Sequence, residues 1–153
     1  AVDRFPEPGA LTLLGEVYAA SGNEAAATNA FATVAAVADL QAAAGAIIDL
    51  EMARFLAEHG EAALALPRAQ AAYDSRPTVL AAEVLGWVHH RLGHDQDALT
   101  LARESVRLGT PDASLLLHAA AIFEANGLIT EAVELRSQAA GLDPWYRILH
   151  PGI

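Results

Sequence analysis

Four glycines, Gly22, Gly60, Gly93 and Gly127, each close an amphipathic stretch, and the last three stand 33 and 34 residues apart. A recurrence at that period marks a chain built from stacked supersecondary units, none of which buries its apolar faces alone. Three further tracks keep the same register. Small residues precede each glycine by seven positions at Gly15, Ala53, Gly86 and Ala120, and alanines follow by five at Ala27, Ala65, Ala98 and Ala132. Seven residues beyond these come Val34, Ala72, Ser105 and Ala139. Pro77, Pro111 and Pro144 fall at or next to the ends of their units, where a residue without an amide hydrogen stops a helix. Small tracks let two helices of a hairpin approach closely, and glycine permits the tight turn between them.

The clearest unit runs Leu14-Gly15-Glu16-Val17-Tyr18-Ala19-Ala20-Ser21-Gly22-Asn23-Glu24-Ala25-Ala26-Ala27, and the chain's last unit closes on Leu142-Asp143-Pro144. This series resembles the tetratricopeptide repeat, and the resemblance extends from about Pro8 to Pro144. It implies an all-α fold, a right-handed α-α superhelix or solenoid of about four helical hairpins forming one domain. The units run over about 8–41, 46–78, 79–112 and 113–144, with a C-terminal cap or tail over 145–153. The family's early aromatic is replaced by Leu11, Asp49, Ala82 and Leu116, and its second-helix aromatic survives only as Phe31. The Gly22 to Gly60 interval is 38, so about four residues are inserted around Leu40 to Gly45. Either the second helix runs long there or the superhelix is locally disturbed.

The spacing predicts helices near 8–21, 24–40, 45–58, 61–75, 78–91, 95–108, 112–125 and 129–140. Asp112, and Thr130 with Glu131, read as first-turn signals, and Asn23 and His94 sit where a cap is wanted. Asp49 is an acid on a track otherwise apolar or small, placed either to face solvent or to cap or pair with an arginine.

Composition narrows the function. The 153 residues carry 19 acids against 9 bases, all of them arginine, for a net charge of -10. That sign opposes tracking of a nucleic-acid backbone or an anionic membrane surface. The most apolar stretch, Ala25 to Ile48, is mostly alanine and is interrupted by Asn29, Asp39 and Gln41, which reads as packed helix rather than a membrane span. The opening Ala1-Val2-Asp3-Arg4-Phe5 carries no basic-then-apolar leader, so any signal peptide is expected to have been removed or to lie outside this stretch. Cysteine is absent, which excludes disulfides, thiolate zinc sites and thiol nucleophiles but leaves the compartment open, with the cytoplasm slightly favoured. The alanine-rich, lysine-free usage resembles chains from GC-rich bacterial genomes, where such repeats are commonly parts of larger proteins.

The resemblance implies a protein-interaction module that takes an extended or helical segment in a concave groove lined by the first helix of each unit. In that register the groove positions are Thr12, Glu16, Ile47, Leu50, Arg54, Glu58, Leu80, Glu83, Trp87, His90, Arg91, Ser114, Leu117, Ala121 and Glu124. Trp87 is either a recognition anchor, with His90, Arg91 and Arg54 around it, or a residue packed between helices. Arg54 and Glu58, four apart, can also simply pair with each other. A subset of the family grips a C-terminal carboxylate with lysines and asparagines; no lysine exists here, and Asn23, Asn29 and Asn126 lie off the groove. The groove acids therefore favour a basic or apolar peptide.

His89, His90 and His94 raise a metal or enzyme reading, with His90 and His94 four apart, but Gly93 interrupts the helix between them and no HExxH-like carboxylate completes the set. His59 and His118 read as ordinary helix residues. Without a Gly-x-Ser-x-Gly elbow, a phosphate-cradling glycine loop or a cysteine, no catalysis, cofactor or metal is expected. The tail Trp145-Tyr146-Arg147-Ile148-Leu149-His150-Pro151 is read as a cap over the last hairpin or, alternatively, as a self-association surface.

Overall fold

Gly22, Gly93 and Gly127 adopt φ of +78°, +77° and +78°, the left-handed region that side chains avoid, and each joins two antiparallel helices. Gly60, the fourth of the set, makes its turn without a positive φ. The computed structural model describes residues 7–45, 49–146 and 150, and among these it contains eight α-helices and no strand. They are α1 (Pro8–Ala20), α2 (Glu24–Ala43), α3 (Asp49–His59), α4 (Ala62–Ser75), α5 (Val79–Arg91), α6 (Asp95–Val106), α7 (Ala113–Ala125) and α8 (Ile129–Leu142). The chain is all-α, and each helix lies within a few residues of the position its spacing predicts. The inserted residues lengthen α2 to 20 residues before Gly45, at φ +86°, ends it.

The helices fall into two compact units. The first holds α1 and α2 with His150, and the second holds α3 to α8 through Tyr146. In the first, α1 and α2 pair as a hairpin whose closest approach is at Gly15, where a Cβ would lie 2.3 Å from the Phe31 ring. The Asn23 side chain caps α2 by accepting from the Ala26 amide, as its position predicts.

In the second unit, α3 pairs with α4, α5 with α6, and α7 with α8, while α3 touches α5 and α5 touches α7. The first helices of the hairpins thus form one layer with α5 in its middle. Thr78 and Asp112 cap α5 and α7 by accepting from Ala81 and Leu115. At the start of α6, by contrast, His94 holds the cap position without a capping bond, and α8 begins after Leu128, also without a side-chain cap, with Glu131 as the acid of its first turn. The alanine tracks are where helices meet. Ala53, Ala65, Ala98, Ala120 and Ala132 are all fully buried, and a Cβ on Gly86 would press on Leu101 at 3.1 Å. Two apolar clusters result. One spans α3 to α5 around Ala53, Ala65, Val84, Trp87 and Val88, and the other spans α6 to α8 around Leu115, Ile122, Phe123 and Leu135. Asp49 forms an ion pair with Arg68 at 3.3 Å while its side chain stays 40% exposed, so both readings of it hold in part.

Two glycines of α8 and its turn respond in opposite directions to a methyl group. Gly127→Ala forces alanine into a left-handed conformation and lowers stability by about 1–2 kcal/mol. Gly141 lies in the last turn of α8 with open space around its Cβ position, so Gly141→Ala raises stability by about 0.5 kcal/mol. Urea denaturation of both variants checks the pair of signs.

Candidate functional site

Every residue of α5 from Ala81 to Val88 is buried, as expected for a helix with neighbours on all sides. Glu83, Trp87, His90 and Arg91 follow one another at helical spacing along it. Glu83 is 2% exposed, and both its oxygens are engaged. The Arg54 guanidinium on α3 donates to Oε2, and the His118 imidazole on α7 donates from Nδ1 to Oε1 at 2.5 Å. One carboxylate therefore ties three helices together. Burial pushes the Glu83 carboxyl up, but the Arg54 guanidinium and the His118 imidazole outweigh it and hold the group below the ordinary carboxylate value. Burial likewise works against the Arg54 charge, and the Glu83 and Glu58 carboxylates overcome it, raising the guanidinium above its ordinary value.

His118 is the residue that sequence reasoning missed. It is fully buried and lies flat on Trp87, with ring centroids 4.0 Å apart and planes 9° from parallel. Its Nε2 sits 3.8 Å from a Glu58 oxygen, too far for a hydrogen bond. Neither that nitrogen nor the Trp87 indole nitrogen finds a hydrogen-bond partner among the described residues. Toward the end of α5, His90 leans over Trp87 at 5.2 Å and bonds Asp95 at 2.7 Å, and the exposed Arg91 places its guanidinium 6.0 Å from the Trp87 ring centre. From the C-terminal segment Tyr146 packs on the α7 cluster beside Ser114. Burial raises its phenol well above the ordinary value.

The structure brings Arg54, Glu83, Trp87, His90 and Arg91 together. Of these, Glu83 and Trp87 are buried rather than presented to solvent. Leu50 is half-buried against the α3 to α5 cluster, and Leu117 is inside the α6 to α8 cluster. Glu124 is exposed and paired with Arg136 of α8. Glu16 lies in the other unit, buried, with its carboxylate 3.7 Å from His150. Ile47 and residues 147–149 and 151–153 of the tail lie outside the described residues. Arg54 reaches across to α5, which identifies its main partner as Glu83 rather than Glu58 on its own helix.

The three neighbouring histidines do not converge. His90 belongs to the Trp87 group, whereas the His89 and His94 Nδ1 atoms approach each other to 3.4 Å. Burial, with the His94 ring nearby, lowers the His89 pKa against the raising effect of Asp97.

No known protein family and no curated protein matches this sequence.

Proposed function

We propose that this chain is a protein-interaction module of the tetratricopeptide kind, a right-handed superhelical repeat that binds a basic or apolar protein segment along the layer of α3, α5 and α7, without catalysis of its own. The observation that carries this reading is the Trp87 group. A buried indole fixed face to face with His118 supports a rim of half-buried His90 and exposed Arg91, and it is this rim, an arginine over an aromatic ring, that has the composition of a binding hot spot. The Arg54, Glu83 and His118 bonds hold this surface in place before a partner arrives, which reduces the ordering cost of binding. Small residues at the helix approaches, left-handed glycines at the turns and adjacent first helices all support the repeat reading. The net charge of -10 favours a basic segment over an acidic one or a nucleic acid.

The test is selection of peptides from a displayed library on the intact chain. Selected peptides lose at least about tenfold in affinity on Arg91→Ala, which removes the side chain that rims the site, and keep their affinity on Arg107→Ala at the end of α6. Equal affinity for all three proteins sinks the reading.

A second reading, self-association, is favoured by one observation. Trp145 is 70% exposed, and Ile129 and Val133, one turn apart on α8, are also exposed. In that case the sedimentation mass rises with concentration, and Val133→Glu with Trp145→Ser abolishes the rise.

A further inference from the structure

The turn between α5 and α6 assembles three metal-binding side chains that the Trp87 group does not use. Positive φ at Gly93 folds the chain back, so that His94, at the start of α6, meets His89 on the last turn of α5. One turn further along α6, Asp97 brings a carboxylate oxygen to the same point, and the three ligand atoms lie within 4.8 Å of one another. We propose that His89 Nδ1, His94 Nδ1 and the Asp97 carboxylate form a three-ligand site for a divalent transition ion of the zinc class.

The geometry is the main argument. Two imidazole nitrogens bound at about 2.0–2.1 Å to a tetrahedral ion stand about 3.3–3.4 Å apart, and the His89 and His94 nitrogens stand at 3.4 Å. Their rings are tilted by 49°, with centroids 5.6 Å apart. The side chains are also uncommitted. His94 makes no capping bond, and among the described residues neither histidine has a hydrogen-bond partner other than the other. His90, between them in the sequence, is occupied by Asp95 and Trp87.

The chemistry of the set selects the ion. Two imidazoles and one carboxylate suit zinc, nickel or copper rather than calcium or magnesium, which take oxygen ligands. His89 is half-buried while His94 and Asp97 are exposed, so the ion enters from solvent and keeps a water in its fourth position. The site would clip the hairpin turn of α5 and α6 from outside.

Zinc chloride is titrated calorimetrically into the full chain stripped of metal, beside His94→Ala, Asp97→Asn and His90→Ala. We expect one zinc per chain in the parent. His94→Ala loses at least about tenfold in affinity, since even an outer partner of a ligand is worth 10–100-fold; Asp97→Asn weakens binding, and His90→Ala leaves it unchanged. His94 is exposed and caps nothing, and circular dichroism checks that its variant keeps the fold. A parent that takes up no zinc, or a His94→Ala variant that binds as tightly as the parent, overturns the proposal.

Discussion

Glu83→Ala lowers the thermal midpoint by more than about 10 °C. Removing one member of a buried charged pair costs about 3–5 kcal/mol, because the partners stay behind without compensation. Here two partners are stranded. His118 is enclosed, and its Nδ1 loses its acceptor, while the Arg54 side chain, 31% exposed, recovers part of its solvation. That relief places the expectation near the lower end, about 3 kcal/mol, and a folded unit of this size loses roughly 4–8 °C per kcal/mol. Glu83→Gln keeps the shape and an acceptor and falls in between.

The loss depends on pH with a definite sign. The Glu83 carboxyl is held below its ordinary value of 4.5 in the folded chain, so the folded state favours the ionised form. Its contribution is complete above the unfolded value and fades as pH falls through the lower folded value. Urea denaturation of the parent and Glu83→Gln therefore shows a wide stability gap at pH 7 and a narrower one near pH 3. A gap that widens on acidification contradicts the assignment.

Trp87→Ala costs about 3–5 kcal/mol, the range for deleting a buried tryptophan. Several features push toward the upper end. The residue is 3% exposed, and its cluster partners include Ala53, Ala57, Ala65 and Ala69, which have no length with which to fill the space. The variant also removes the ring on which His118 lies and over which His90 leans. Trp145→Ala, at a position 70% exposed, changes stability by less than about 0.5 kcal/mol. Equilibrium urea curves of the two variants give the contrast directly. Because Trp87 supports the fold as well as the surface, recognition is tested at Arg91, which is exposed and caps nothing.

The helices were legible because their signals are local. Glycines at hairpin turns, alanines at close approaches and prolines after helix ends act within a few residues, and the observed boundaries follow them. The extension of α2 was foreseen as one of two outcomes, and the alanine-rich stretch to Ala43, which holds no glycine or proline, explains which occurred. The site was legible only along α5. Glu83, Trp87, His90 and Arg91 share a face by helical spacing, whereas the His118 to Glu83 bond joins residues 35 apart on different helices. Its only trace in the sequence is that His118 is the single polar residue between Leu115 and Phe123. For Arg54, helical spacing pointed to Glu58, and the packing of α3 on α5 brought Glu83 closer instead. His89 and His94 are five apart, a spacing that separates side chains on a continuous helix. The reversal at Gly93 brings them together.

The central claim is that a partner segment lies along α3, α5 and α7 at Trp87. The most direct measurement is a titration of the nitrogen-15-labelled chain with a selected peptide, following the two tryptophan indole signals, with Trp145→Phe to assign them. Among the described residues the buried Trp87 indole N–H has no hydrogen-bond partner, so a segment bound over the His90 and Arg91 rim moves its signal through the change around the ring, together with amides of Leu80–Arg91 and Ser114–Glu124. Shifts confined to α4, α6 and α8 or to the Trp145 indole, with the Trp87 signal unmoved, would contradict the account.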